Sequence, residues 1–342
     1  MSNSEIKNPV LVYDLDYILY AAGFAGEKRS IEATHKPTGD VFSFSNRTEM
    51  YGKGKEIGGW LKETNEARVK SNLSPFNIED FEIVDIQAAE PLANVLHTVK
   101  AMVETPIEAL EASKMVGFIG GKGKPLWRWE RATLWEYKGN RKDALAPIYK
   151  QDIVDYLIKK YNVTIVNDGK EADDRVIMES YQKSSHIVVG VDKDVRGNPV
   201  LSYNPNYPEE GILDGRGFGN IYWDDKKKDV KGAGRIFFYW QWLYGDDVDN
   251  YRANCASSKK WGKKSAFNVL ANCRTDVEAF EVIRDAYKTL YPEEIEVEGW
   301  RGDKIKIDWL YVANEIWDMA RMWRYENDYV TASEVLSKYK LI

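Results

Sequence analysis

The arrangement of apolar segments along the chain constrains the fold more than any other feature of the sequence. Four short runs, VLV (10–12), MVGFIG (115–120), VTIV (163–166) and HIVV (186–189), are predicted to be buried strands. Helical segments such as PIYKQDIVDYLIKKY (147–161) separate the later strands. Strands joined through helices pair in parallel with right-handed crossovers. The sequence therefore predicts an α/β fold with a mostly parallel central sheet flanked by helices.

Turn and helix signals predict the remaining elements. The predicted helices cover 17–25, part of 91–113 with an interruption near Pro106, 170–182, 234–247 and 310–326. Hairpins are predicted in 34–45, 211–225 and 295–309, a single strand in 81–88, and polar helical and loop material in 46–80. The simplest organisation is an α/β core over 1–230, with an insertion of unknown role at about 26–113, and a helical part over 231–342.

Composition excludes several classes of protein. The chain has 342 residues, of which 44% are hydrophobic, so it can bury a large core. It lacks an apolar stretch of membrane-spanning length and a signal peptide, so we expect an intracellular protein. Two cysteines and three scattered histidines argue against a disulfide framework and a zinc site. The net charge of −6 does not exclude nucleic acid, because acids gathered at one site leave a more basic surface elsewhere.

Four acidic groups each stand at the start or end of a predicted element. They are Asp14 with Asp16, Glu171 with Asp173 and Asp174, Asp192 with Asp194, and Asp246 with Asp247 and Asp249. A spacing of two in extended chain, or of three in a helix, points both members of a pair to one side. Gathered carboxylates repel one another unless hard divalent cations such as Mg²⁺ or Mn²⁺ bind them. Two such ions about 4 Å apart suit phosphodiester hydrolysis.

Each acidic group also has an ordinary structural explanation. Acids at a helix start complement the helix dipole, and Asp commonly begins turns and caps helices. Two other functions stay open at this point. Asp14 and Asp16 after a strand are also typical of haloacid-dehalogenase phosphatases, in which Asp14 would be the nucleophile. A non-catalytic nucleic-acid binder is the other alternative.

The order of the motifs resembles one nuclease family. A strand that ends in Asp14 is followed by YKGNRK, EADD, GVDKD and GDDVDN, and this series resembles the bacteriophage 5′-to-3′ exonucleases and flap endonucleases, which have a PIN-like fold. The resemblance runs from Val10 to about Ala266 and leaves about 26–113 largely unmatched. It implies a monomeric phage enzyme in the cytoplasm of an infected bacterium, acting in DNA replication or recombination. Its implied partner is duplex DNA with 5′ ends or flaps, with DNA–RNA hybrids as an open extension.

The resemblance also implies roles for individual residues. It assigns the first metal ion to Asp14, Glu171, Asp173 and Asp174, and the second to Asp192, Asp194, Asp246 and Asp249. It gives Lys138 and Arg141 contacts with the scissile phosphate, so that the implied catalytic set is Asp14, Asp173, Asp192, Lys138 and Arg141. Arg128, with Arg131 as its rival, matches a further basic position that contacts DNA.

A second motif resembles the family's helix-three-turn-helix. GDDVDNYRANCASSKKWGKKSAFNVL (245–270) would grip duplex phosphates through its lysines, with a K⁺ ion there left open. These lysines are Lys259, Lys260, Lys263 and Lys264. A solvated lysine loop is the alternative explanation.

Two features depart from or add to the family pattern. Gly121 stands where the family usually places an Asp, so Asp16, Asp168 or a water would have to supply the missing ligand. Trp127, Trp129 and Trp135 would either stack on unpaired bases or pack in the interior.

Overall fold

A computed structural model of the protein describes residues 6–53, 58–141 and 145–342. Residues 54–57 of the predicted polar segment and Lys142 of the YKGNRK motif lie outside the described residues. The helices are α1 (Asp16–Ala25), α2 (Arg47–Tyr51), α3 (Gly59–Lys70), α4 (Leu92–Ala109), α5 (Trp127–Arg131), α6 (Lys150–Tyr161), α7 (Ala172–Ser180), α8 (Arg235–Tyr244), α9 (Lys263–Leu270), α10 (Asp276–Leu290), α11 (Trp309–Ala320) and α12 (Ala332–Lys338). The strands are β1 (Val10–Asp14), β2 (Glu27–His35), β3 (Val41–Phe44), β4 (Phe81–Ala89), β5 (Lys114–Gly120), β6 (Thr164–Val166), β7 (His186–Val189), β8 (Leu201–Tyr203), β9 (Ile212–Asp214), β10 (Asn220–Asp224), β11 (Asp229–Ala233), β12 (Gly245–Asp246), β13 (Tyr251–Arg252), β14 (Ile295–Glu298) and β15 (Lys304–Ile307).

The chain divides into two compact units. The larger unit comprises Met1–Tyr17, Ala101–Leu145 and Val154–Ile342, and the smaller comprises Ile18–Lys100 and Ala146–Ile153. This division differs from the predicted boundary near residue 230, because 154–342 belongs to a single unit. Much of the predicted insertion at about 26–113 falls in the smaller unit.

The larger unit is built on a six-stranded sheet with the order β6-β5-β1-β7-β8-β9. All neighbours pair in parallel except β8 and β9, so the predicted mostly parallel sheet is confirmed. Leu11 in β1 lies opposite Met115 in β5 and Ile187 in β7. Strand β1 lies between β5 and β7 inside the sheet, and the middle of the strand is buried. Burial on both faces explains its continuous apolar run. Helix α7 covers one face and buries Val176 and Ile177 there.

A second core of the larger unit surrounds α8. Nine of its ten residues are buried, with Trp240 and Trp242 fully enclosed. A helix that is apolar all round must be covered on every side. Helices α9, α10 and α11 pack against it, together with the β10–β11 hairpin.

The smaller unit contains a three-stranded antiparallel sheet with the order β3-β2-β4. Strands β2 and β3 form the hairpin predicted in 34–45, and β4 coincides with the strand predicted in 81–88. Its core includes Ile31, Phe44, Met50, Leu61 and Phe81.

Three predicted elements differ from the structure. The segment 211–225 is not a hairpin, because β9 pairs with β8 and β10 pairs with β11. Helix α4 continues through Pro106, which lies in its last turn, so the predicted interruption there is wrong. Helix α11 ends at Ala320 rather than near 326. Among the described residues, none of the helices combines the length and the apolar character needed to cross a bilayer.

Candidate metal centre

The carboxyl ends of the parallel strands gather the predicted acidic residues. Asp14 is the last residue of β1, and α7 follows β6 after a short loop. Asp192 follows β7 and accepts a hydrogen bond from the Asp194 main chain at the start of a 3₁₀ turn. Because these strands run in parallel, their ends meet at one edge of the sheet, where open α/β sheets bind ligands. The name acidic site is used below for Asp14, Asp16, Glu171, Asp173, Asp174, Asp192, Asp194, Asp246 and Asp249.

One group of carboxylates in the acidic site is close enough to share a metal ion. Glu171, Asp173 and Asp174 each offer an oxygen within 4.8 Å of the others. Asp174, however, is fully buried, and both its oxygens accept hydrogen bonds from Arg128 and one also accepts from the Trp323 main chain. Asp173 is only half-buried, which leaves it more accessible to an added cation. The donor set suits a hard divalent cation, and Asp173 is its most accessible member, because Glu171 is also buried and accepts hydrogen bonds on both oxygens.

Arg128 lies in the interior, beneath the carboxylates. Its guanidinium is 2% exposed and forms ion pairs with Glu171 (2.6 Å) and Asp174 (2.8 Å). Its other donors reach the carbonyl oxygens of Met319 (3.2 Å) and Arg321 (2.8 Å) at the end of α11. This burial argues against the predicted contact of Arg128 with DNA. Its position instead fixes two acidic side chains and caps the C-terminal end of α11.

Lys138 lies among the carboxylates. Its ammonium group contacts Glu171 Oε1 and lies 3.9 Å from Asp249, while its main-chain N–H donates to the Asp249 carbonyl. Arg141, at the end of the following 3₁₀ turn, pairs with the other oxygen of Asp249. The hydroxyl of Tyr137 lies 2.9 Å from both Glu171 and Asp249. The YKGNR motif thus joins two acidic groups that are far apart in sequence.

The remaining acids form a second group around Lys193. The Lys193 ammonium pairs with Asp246 at 2.5 Å, and the other oxygen of Asp246 accepts from the Val248 main chain. Asp194 accepts a hydrogen bond from the buried amide of Gln241 in α8. Helix α8 and the turn after β7 therefore jointly position this half of the site.

Burial and mutual repulsion raise several carboxyl pKa values. The pKa of Asp14 rises to about 7, first because of burial and then because Asp16 and Asp192 lie nearby. Burial and then Asp192 raise the pKa of Asp194 well above its ordinary value. The effect of Asp192 on the pKa of Asp14 indicates that the acid at the end of β1 lies close to the turn that follows β7.

At Glu171, fixed cations reverse the effect of burial on the pKa. Burial would raise its pKa, but Lys138 and Arg128 outweigh burial and lower it to about 2. The pKa of Asp173, by contrast, is raised by burial and by repulsion from Glu171. Lys138 and Arg128 therefore stabilise the ionised form of Glu171. The negative charge of Glu171 in turn repels the carboxylate of Asp173.

The departure at Gly121 has a structural counterpart. A Cβ there would lie 1.9 Å from Asn167 Oδ1, so an acid would fit only after Asn167 moved. Asp16 instead reaches the end of β5, where its Oδ1 accepts from the Gly120 N–H at 2.9 Å. The absence of a side chain at Gly120 permits this approach, because a Cβ added there would lie only 2.8 Å from Asp16 Oδ2. Asp168 is engaged elsewhere, in ion pairs with Lys170 and Arg175.

The predicted DNA-binding lysines lie around the start of α9. Lys263 pairs with Asp229 of β11 at 3.0 Å, and the Lys264 ammonium lies 5.3 Å from the Trp223 ring. Lys259 donates to the Thr289 carbonyl, and Lys259, Lys260 and Lys264 are exposed.

The predicted α5 residues have different environments. Arg131 is exposed beside Tyr329. Trp127 packs on Trp323 and donates to Asp174, which favours the packing interpretation. Trp129 and Trp135 are about one-third exposed.

Three further residues contact members of the acidic site and were not among the residues predicted from the sequence. Lys193 lies between two nominated aspartates, and Tyr137 begins the basic motif, so each had a local signal. Gln241 had only a weak one, as a polar residue in an apolar helix.

Comparisons with known proteins identify structural likenesses only. No protein-family model and no curated protein matches the chain. The bacteriophage T5 D15 protein crystallised with metal ions has a TM-score of 0.40 and 14% identity, over 81% of this chain and 78% of that one. A T5 D15 flap endonuclease variant, in a pseudo-enzyme–product complex with DNA and metal ions, has a TM-score of 0.38 and 16% identity, over 56% and 71%. A T5 5′-exonuclease mutant has a TM-score of 0.35 and 14% identity, over 56% and 74%. All three TM-scores are below 0.5, so the function has to be inferred from the chain's own residues.

Proposed function

We propose that the protein is a Mg²⁺- or Mn²⁺-dependent nuclease that hydrolyses phosphodiester bonds near the 5′ ends of duplex DNA. One observation carries the proposal: carboxylates from four separate parts of the chain meet at the carboxyl edge of the sheet, with Lys138 and Arg141 among them. The order of the motifs supports the phage exonuclease and flap endonuclease type. Cleavage of DNA–RNA hybrids and a role in phage replication or recombination belong to the same proposal.

The acidic site would hold two cations. We assign the first to Asp14, Asp16, Glu171 and Asp173, and the second to Asp192, Asp194, Asp246 and Asp249, directly or through water. Asp174 would orient this set through Arg128 rather than bind a cation, because its side chain is completely buried and both its oxygens accept hydrogen bonds from Arg128. When bound, the cations supply Lewis-acid stabilisation of phosphate charge and make water more acidic.

Lys138 and Arg141 would stabilise negative charge on the phosphate. Both are tied to carboxylates and still partly exposed, with 24% and 45% of their side chains accessible. Lys138 adopts a left-handed backbone conformation (φ 56°), and its main chain is bound to Asp249. Its ammonium is therefore fixed before substrate arrives, which is the preorganisation that electrostatic catalysis requires.

The segment between α8 and α9 would hold the duplex away from the cleavage position. It carries Lys259 and Lys260, and Lys263 and Lys264 begin α9. We propose that this segment acts as a helix-three-turn-helix, with main-chain N–H groups and lysines on backbone phosphates. Such contacts fix position without reading sequence.

Digestion assays test the proposal directly. A labelled duplex, a 5′-flap substrate and a DNA–RNA hybrid would each be incubated with Mg²⁺, Mn²⁺ or EDTA. We expect short products from the 5′ end or at the flap junction with either metal, and none with EDTA. A small phosphomonoester serves as a parallel substrate. Hydrolysis of that ester alone would contradict the proposal and favour a phosphatase that uses Asp14.

The placement of Asp16 predicts which carboxylate replaces the missing family acid. Asp16→Asn should weaken Mn²⁺ binding by about tenfold or more, because it removes a charged oxygen at the end of β5. Asp168→Asn is the matched control, since Asp168 pairs with Lys170 and Arg175. Titration calorimetry with Mn²⁺ measures both affinities without substrate. Equal affinities in the two variants, or a larger loss in Asp168→Asn, would exclude Asp16 as the replacement.

A further inference from the structure

A small basic cavity adjoins the acidic site and was not anticipated from the sequence. It has a volume of about 120 Å³ and lies between the segment that follows β7 and the β10–β11 hairpin. We call this cavity the basic cleft. Besides apolar residues and Asp229, it is lined by Lys193, Arg196, Asn204, Tyr207, Lys227 and Lys231.

The basic cleft keeps positive charge available for a ligand. The Lys227 ammonium donates to the Tyr207 hydroxyl at 3.1 Å and lies 4.6 Å from the ring centre, with Lys231 5.3 Å from the same ring. Both lysines thus lie against one aromatic side chain, and Asp224 and Glu210 are near enough to act on Lys227 electrostatically. Arg196 is about nine-tenths buried and pairs with Glu210 at the edge of the cleft.

Two ion pairs connect the basic cleft to functional regions on either side. Lys193, in its lining, pairs with Asp246 of the acidic site. Asp229, the acid in its lining, pairs with Lys263, the first residue of α9. The cleft therefore lies between the acidic site and the lysines proposed to grip the duplex. A backbone phosphate is complementary to a small cavity lined by several cations and two neutral polar side chains.

We propose that the basic cleft binds one backbone phosphate of a DNA duplex, between the acidic site and α9. The inference rests on the proposed nuclease function and deepens it by adding a contact on the path of the duplex. In this arrangement Lys227 and Lys231 contact the phosphate, and the β10–β11 hairpin is part of the DNA-binding surface. Contacts of this kind set register and affinity and carry no sequence preference.

Salt-dependent binding tests this inference. A fluorescently labelled duplex would be titrated by anisotropy, with Ca²⁺ in place of Mg²⁺ and with absence of cleavage checked on a gel. Lys227→Gln/Lys231→Gln should lower the slope of log affinity against log salt by about 0.9, the value for one phosphate contact. The affinity ratio between about 50 and 200 mM salt should then shrink about threefold. The control is Lys304→Gln/Lys306→Gln, which removes the same charge from exposed positions in the β14–β15 hairpin, outside the cleft.

The outcomes separate the two proposals. A smaller slope in the cleft variant than in the control supports the phosphate site. Equal slopes in both variants, with duplex bound and cleaved by the unmodified protein, would overturn the cleft and leave the nuclease intact. If the unmodified protein neither binds nor cleaves duplex DNA, the nuclease proposal fails and the phosphate site fails with it.

Discussion

Asp173→Ala is expected to lower the rate of metal-dependent DNA cleavage by at least about a thousandfold, equivalent to about 4 kcal/mol of transition-state stabilisation. Asp173 is the half-buried member of the carboxylate group within 4.8 Å, and burial and Glu171 raise its pKa. A bound cation would relieve the repulsion between Asp173 and Glu171. Single-turnover cleavage of a labelled duplex measures the effect.

Duplex affinity gives the matching readout for Asp173→Ala. It should stay within about threefold of the unmodified protein, because the proposed phosphate contacts lie elsewhere. Asp303→Ala, at an exposed aspartate in the β14–β15 hairpin, controls for the loss of one carboxylate. Near-normal cleavage by Asp173→Ala would refute the assignment of the first cation. A parallel loss of binding and cleavage would indicate a structural role for Asp173 instead.

Basic residues offset part of the negative charge of the acidic site. Among the described residues, Arg128, Lys138, Arg141 and Lys193 form ion pairs with several of its nine carboxylates. In the proposed nuclease, divalent cations would compensate the carboxylates that these basic side chains leave in mutual repulsion.

The strand ends and their acids could be predicted because both are local patterns. The apolar run at Val10–Val12 and the acids that follow it are adjacent in sequence, and parallel pairing then brings separate strand ends together. The prediction of a hairpin in 211–225 was wrong, because the glycine-rich GRGFG segment was interpreted as a turn between two paired strands. Partner choice is a non-local property there: β9 completes the edge of the sheet beside β8.

The role of Arg128 could not be predicted, since its partners are distant in sequence. Its carbonyl acceptors, Met319 and Arg321, lie 191 and 193 positions away. In the sequence, Arg128 lies shortly before the YKGNRK motif, and the family resemblance predicted a contact with DNA. The counter-ion role of Lys193 depends on Asp246, 53 positions further on. Pairings of this kind depend on the tertiary fold rather than on local pattern.

Arg128→Met is expected to lower the free energy of unfolding of the larger unit by about 3–5 kcal/mol. The substitution keeps an unbranched apolar side chain but removes the guanidinium from two buried carboxylates, Glu171 and Asp174. It also leaves the carbonyls of Met319 and Arg321 without their donor. Urea unfolding followed by tryptophan fluorescence measures the change, because every tryptophan except Trp60 belongs to the larger unit.

Two further variants decide whether charge burial causes the loss. Arg131→Met, at an exposed position in the same helix, should change stability by no more than about 0.5 kcal/mol. Arg128→Met/Asp174→Asn should be more stable than Arg128→Met alone, because the fully buried carboxylate no longer carries an uncompensated charge. If Arg128→Met were as stable as Arg131→Met, Arg128 would not be the residue that holds the acidic site to α11. A double variant less stable than Arg128→Met would assign the loss to packing and hydrogen bonds rather than to the buried charge.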